Sequence, residues 1–169
     1  MRDLVHGFIR EVTLAHPQFR KDCKVLEVGS YNVNGTARDH FTDARYVGVD
    51  FRPGPGVDVV ALAHEVDLPP GSFDVVLSVE TLEHDYYWRE SLQAMHRLLR
   101  PGGLFLITVA SFNFPAHNPE SSSRPNYYHN LLPDELMPAL NGLGLQQISY
   151  KEQGDGVFYA ALKPERTVG

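Results

Sequence analysis

Two short apolar runs constrain this chain most. Lys24-Val25-Leu26-Glu27-Val28-Gly29-Ser30 and Tyr46-Val47-Gly48-Val49-Asp50 have the character of strands buried on both faces. Each ends in residues suited to a nucleoside-type ligand. Glu27 and Asp50 stand 23 positions apart, the spacing between a glycine loop after one strand and a ribose-binding acid after the next in a mononucleotide half-fold. Glycine lets a ligand approach the backbone closely. A carboxylate at the tip of the second strand can accept hydrogen bonds from two ribose hydroxyls.

The loop is not a dinucleotide fingerprint. A G-x-G-x-x-G pattern needs glycine where Tyr31 stands, and the chain continues Asn32-Val33-Asn34-Gly35-Thr36. A pyrophosphate requires close backbone amides at a helix start, and Tyr31 with two asparagines fills that space differently. NAD and FAD are therefore disfavoured. The loop also lacks the Gly-Lys-Ser/Thr ending of a phosphate loop, which argues against nucleoside triphosphates.

The remaining periodicities predict an α/β chain. Leu4, Val5, Phe8, Ile9 and Val12 recur at helical spacing, and His16-Pro17 ends that helix. This helix is expected to lie across the sheet and close the ligand side. Strands are expected at about 24–28, 45–49, 57–60, 73–78 and 104–109, with a closing antiparallel pair at 146–150 and 157–162. Short helices are expected over 34–41 and 134–141, the latter shortened or kinked by Pro138. A longer helix is expected over 87–99, with Trp88, Leu92, Met95, Leu98 and Leu99 as its apolar stripe. Asp85 suits its N-cap region, Arg97 and Arg100 its C-terminal dipole, and Pro101-Gly102-Gly103 its stop. The Pro- and Gly-rich 51–56 leaves no room for a crossover helix before the third strand. The tail from Pro164 is expected to fray.

Length bounds the answer to one domain, 1–169. The hydrophobic share of 43% suffices for one core. The single cysteine, Cys23, excludes a disulfide framework and a cysteine-rich zinc site. No 18-residue apolar run or signal-like h-region is present, so cytoplasmic residence is the default expectation. The net charge of −6, with no Lys/Arg run, disfavours bare nucleic acid as partner.

The motifs resemble a class I S-adenosylmethionine-dependent methyltransferase of the small type 11 group. The resemblance rests on Val25-Leu26-Glu27-Val28-Gly29, Val47-Gly48-Val49-Asp50, the stretch from Leu68 to Val76, Glu80-Thr81-Leu82-Glu83-His84, and Leu98-Leu99-Arg100-Pro101-Gly102-Gly103. They fall in the family's order over about 24–110. The resemblance implies a Rossmann-like, seven-stranded, mostly parallel sheet with an antiparallel final strand in a three-layer α/β/α arrangement. It implies S-adenosyl-L-methionine as cofactor. The acceptor would be an oxygen or nitrogen of a small molecule or saccharide, with oligomeric state unassigned. A non-catalytic cofactor-binding partner subunit and a metal-assisted RNA 2′-O-methyltransferase are the alternatives.

Cofactor contacts are expected from Glu27, Gly29, Ser30, Tyr31, Asp50, Phe51, Ala63, His64 and Val79. Phe51 and His64 would pack beside adenine. Relatives carry Asp where Leu62 stands, which leaves the adenine amino group unassigned. Glu80, Glu83 and His84 are expected to be structural, without a metal. Their alternative use is a divalent-ion site completed by the lid. Residues 111–131 lack a period and begin at the carboxyl end of the fifth strand, so they are expected to form a substrate lid. Methyl transfer from a sulfonium is chiefly a matter of alignment. His84, His117 and His129 are the candidate bases for a hydroxyl or protonated-amine acceptor.

Overall fold

The computed structural model describes residues 2–33, 35–117 and 122–165. The expected start of a helix at Asn34, residues 118–121 of the expected lid and residues 166–169 of the tail expected to fray lie outside the described residues. In order, the elements are α1 (Asp3–Ala15), β1 (Lys24–Val28), β2 (Arg45–Asp50), β3 (Val59–Val60), β4 (Phe73–Val79), α2 (Trp88–Leu98), β5 (Leu99–Ala110), α3 (Pro133–Asn141), β6 (Gln146–Gln153) and β7 (Gly156–Leu162). The seven-stranded sheet runs β3-β2-β1-β4-β5-β7-β6. The first five strands are parallel, β7 is antiparallel to β5, and β6 is antiparallel to β7.

Alternation along the strands builds two cores. Val25, Val75, Leu77, Leu104, Leu106, Phe158 and Ala160 face α1, where Val5, Phe8, Ile9 and Val12 are buried. Leu26, Val28, Val76, Phe105, Ile107, Val109 and Tyr159 face the other way. There they meet Trp88, Leu92, Met95 and Leu98 of α2 and Leu136 and Leu140 of α3. Each such fully buried side chain stabilises the fold by roughly 1.5–3 kcal/mol. This is the three-layer α/β/α arrangement that the motifs implied. Leu4, placed in the apolar stripe by spacing, is instead exposed. Residue 4 falls just past the edge of the stripe that faces the sheet.

Three local expectations are revised. The segment after the glycine loop holds only a 3-10 turn, Ala37–His40, capped by the Thr36 hydroxyl accepting from the Arg38 N–H. The third strand shrinks to Val59–Val60. Pro101-Gly102-Gly103 sits inside β5, because Leu99 is already extended and pairs with Phe73. Arg97 and Arg100 do more than complement a dipole. Arg97 donates to the Val66 and Leu68 carbonyls, and Arg100 Nε donates to Asp74 at 2.6 Å. Asp85 does serve the start of α2, accepting from the Tyr87 N–H at 3.0 Å and the Ser91 hydroxyl at 2.5 Å.

The topology sets the site. Strand order reverses between β1 and β4, so the connections leaving their carboxyl ends diverge and open a crevice. Among the described residues no helix is long and apolar enough to cross a membrane.

Candidate functional site

A cavity of about 540 Å³ occupies that crevice. One end is built from the turns after β1 and β2. Gly29 has φ +81°, and a Cβ there would overlap the Thr81 side chain. Only glycine suits both constraints. The Gly29 and Ser30 amides donate to the Val49 carbonyl, which locks the two strand ends together. The buried Ser30 hydroxyl has no hydrogen-bond partner among the described residues.

Asp50 and Glu27 are the two acids of this end. Asp50 Oδ2 accepts from the Tyr31 N–H at 3.3 Å and Oδ1 from the Arg52 N–H at 3.2 Å. Burial pushes its carboxyl up, opposed by those amides. Both oxygens keep further lone pairs for a ligand. Glu27 is 4% exposed. Burial raises it to about 7, although the Tyr46 hydroxyl donates to Oε2 at 2.8 Å and Arg38 favours the anion. Arg38 stacks over the Tyr46 ring at 4.5 Å and pairs with Asp58 at 2.6 Å. Arg52 lies 4.0 Å above the Tyr31 ring. Tyr31, Phe51, Ala61, Leu62 and Ala63 complete an apolar wall.

The other end is built from the turn after β4, the lid and the start of α1. Glu80 has φ +50°, a left-handed conformation uncommon for glutamate. Arg2 Nη2 lies 2.5 Å from Glu80 Oε2 and the guanidinium sits 4.9 Å over the Phe114 ring. His84 meets the rings of His117 at 4.9 Å and Tyr128 at 5.0 Å, and His117 meets Phe114 at 5.1 Å. The lid is tied down from several directions. The Ser123 N–H donates to the His84 carbonyl, its hydroxyl donates to Asp85 at 2.8 Å, and the His129 N–H donates to the Glu83 carbonyl. Asn130 Nδ2 donates to the carbonyls of Phe112 and Phe114.

Of the sequence-predicted residues, Glu27, Gly29, Ser30, Tyr31, Asp50, Phe51, Ala63, Val79, Glu80, His84 and His117 line the cavity. Three predicted positions do not. His64 packs on the Tyr87 ring at 4.4 Å, with Nε2 3.8 Å from Glu65, because the turn at 63–65 directs it toward α2. His129 Nε2 pairs with Glu135 Oε2 at 2.7 Å, held by α3 outside the cavity. Glu83 is buried beneath the site, where Oε1 accepts from the Ala110 N–H at 3.0 Å. Burial and the neighbouring Glu80 charge raise it to about 8. Glu80 faces Arg2 and Glu83 faces the Ala110 amide, so the two carboxylates do not converge with His84. Among the described residues, no group of three His, Cys, Asp or Glu side chains could hold a metal.

Sequence reasoning missed Arg2, Val33, Thr36, Arg52, Thr81 and Ser123 as lining residues, whereas Phe114 was already expected as a lid aromatic over the cofactor. Aromatic content marked the lid as a whole. Nothing local marked Arg2, which reaches the cavity only because α1 crosses the sheet.

The methyltransferase domain family matches this chain over residues 26–107. Over those residues, just under half of its length, the chain is similar to the type 11 methyltransferase domain. A probable S-adenosylmethionine-dependent methyltransferase of Mycolicibacterium smegmatis is 31% identical to this chain over 118 residues. Those residues are 70% of this chain, and the chain spans only 42% of that relative. Burkholderia thailandensis 1,6-didemethyltoxoflavin-N1-methyltransferase was solved with 1,6-didemethyltoxoflavin and S-adenosylhomocysteine. It superposes with a TM-score of 0.69 at 20% identity, over 93% of this chain and 77% of that one. Haemonchus contortus phosphoethanolamine N-methyltransferase 2 with S-adenosyl-L-methionine gives 0.65 at 17% identity, over 92% and 53%. At these identities the solved structures speak for the fold of the chain.

Proposed function

We propose that this chain transfers a methyl group from S-adenosyl-L-methionine to an oxygen or nitrogen of a small-molecule or saccharide acceptor. The observation that carries this reading is the nucleoside-shaped end of the cavity. There, Gly29 exposes its backbone beside a carboxylate, Asp50, whose free lone pairs face the same space. The residues present fit the cofactor. Asp50 would accept from the ribose hydroxyls, and Tyr31, Phe51 and Ala61–Ala63 would flank the adenine. The Gly29-Ser30 turn would receive the methionine portion beside Glu27, and Val79 would wall the methyl end. The cofactor supplies a methyl group already activated on a sulfonium.

The chain's own work is then alignment and exclusion of water. The docked lid supplies the aromatic wall of Phe114 and His117. His84 and His117 are the two candidate bases on that wall, and His129 is not. Glu27, Asp50, Glu80 and Asp85 outnumber Arg2 and Arg52 around the cavity. That balance favours a small acceptor over a polyanionic nucleic acid. The inward turn of Glu83 favours the structural use of Glu80-x-x-Glu83-His84 over the metal-assisted RNA reading.

Calorimetry tests the reading. S-adenosylmethionine and S-adenosylhomocysteine should bind and NAD should not. Asp50→Ala should weaken binding by about 2–3 kcal/mol through the loss of two charge-assisted hydrogen bonds. Heat with NAD alone would overturn the assignment.

A further inference from the structure

Resting on the methyl-transfer reading, the geometry of the far end of the cavity points to a class of acceptor. Arg2 and Glu80 face each other as a charge pair, Nη2 to Oε2 at 2.5 Å. The pair does not use up its hydrogen-bonding groups. Arg2 Nε and Glu80 Oε1 are both buried without a hydrogen bond of good geometry among the described residues, and the nearby Thr108 hydroxyl is the one side chain besides Arg2 that favours the Glu80 anion by hydrogen bonding. A buried donor and a buried acceptor left without good partners on adjacent side chains each carry a desolvation penalty. A ligand edge that satisfies both removes the two penalties together.

The surroundings narrow the ligand's shape. Phe114 lies beneath the Arg2 guanidinium, His117 meets Phe114 edge-on, and His84 meets His117. All five residues line the one cavity. Such rings present flat faces and edges to a planar aromatic partner. The Glu80 backbone is held at φ +50°, a strained conformation for a non-glycine residue that recurs at ligand sites.

We propose that Arg2 and Glu80 form the acceptor subsite, which takes a planar heterocycle presenting a ring N–H beside a carbonyl. The N–H donates to Glu80 Oε1, the carbonyl accepts from Arg2 Nε, and the ring lies against Phe114 and His117. A carboxylate, which only accepts, would leave Glu80 unmatched, and a lone hydroxyl would have to serve both groups from a single oxygen rather than from two adjacent ring positions. Burial pushes the Glu80 carboxyl up, and Arg2 opposes that shift. An N–H donor favours the anion in the same way as Arg2 does.

The test uses lumazine (pteridine-2,4-dione) titrated calorimetrically into the full chain saturated with S-adenosylhomocysteine. Lumazine should bind, and 1,3-dimethyllumazine, which lacks the ring N–H groups, should bind about tenfold or more weakly. Glu80→Gln and Arg2→Met should each weaken lumazine by about tenfold or more, with melting temperature recorded to show that the variants fold. Equal binding of the two lumazines to the unaltered chain would overturn the paired-edge subsite. Failure of lumazine to bind a chain that does bind S-adenosylhomocysteine would also overturn it. Failure to bind S-adenosylhomocysteine would instead overturn the methyl-transfer reading.

Discussion

The two ends of the cavity are built by different means. The nucleoside end is made of strand tips. Gly29, Ser30 and Asp50 take their places from the β1–β2 register and from amides that donate to Val49 and Asp50. The end proposed to take the acceptor is made of side chains from distant segments: Arg2 before α1, Glu80 and His84 after β4, and Phe114 and His117 in the lid. Backbone geometry fixes the first end, so it tolerates little change. Side-chain contacts fix the second, and ligand preference can change there without rebuilding the sheet.

The sharpest way to break this comparison is at Gly29. Its φ of +81° and the Thr81 side chain over its α-carbon leave no place for a Cβ. Gly29→Ala should destabilise the fold by about 3 kcal/mol, combining backbone strain with an overpacked contact. For a chain of this size the melting temperature should then fall by roughly 6–12 °C. Calorimetry should show cofactor affinity reduced as well. A variant that melts and binds as the unaltered chain does would show that the nucleoside end is not set by backbone.

The same contrast governs what the sequence made legible. Strand ends were readable because the apolar runs, the glycine and the acid are local patterns that burial on both faces enforces. The seven-stranded, mostly parallel sheet was implied by the resemblance those runs carry, while its strand order and the division into two cores came from the structure. The acceptor end was not readable at that level. Arg2 meets Glu80, and Ser123 meets Asp85, only through the path of α1 and the fold of the lid. His64 and His129 show the opposite error. Histidines near a predicted site attract a role, yet local packing on Tyr87 and the bond to Glu135 take both away. Leu62, where the resemblance implied an Asp, does line the cavity and supplies apolar surface only.

A smaller effect separates the ends by pH. Glu27 titrates near 7 in the fold because burial outweighs the Tyr46 hydrogen bond and the Arg38 charge, with Asp50 adding to the rise. An unfolded glutamate titrates near 4.3. Between those values the folded state holds a proton that the unfolded state has released, so stability falls as pH rises. Relative to Glu27→Gln, which cannot titrate, the unaltered chain should lose about 1 kcal/mol between about pH 6 and pH 7. Denaturant unfolding of both proteins at the two pH values measures this. A flat or rising difference would show that Glu27 is already ionised in the fold. It would also show that the nucleoside end carries a full charge in place of a shared proton.

The smallest expected effect is at His129, and it sharpens the comparison by what stays constant. The imidazole lies outside the cavity and pairs with Glu135 at 2.7 Å, both groups being partly exposed. Exposed pairs of this kind contribute about 0.2–1 kcal/mol. His129→Ala should therefore lower stability by no more than that and leave S-adenosylhomocysteine affinity unchanged. His117→Ala should differ in kind. Its ring bridges Phe114, His84 and Tyr128 on the acceptor wall, so its removal should weaken whatever planar ligand that wall holds. Lumazine titration of the two variants, each saturated with S-adenosylhomocysteine, makes the comparison directly. If His129→Ala weakened lumazine as much as His117→Ala did, the acceptor end would extend past the lid to α3. The division between a backbone-built end and a side-chain-built end would then have to be redrawn around the Glu135 side of the molecule.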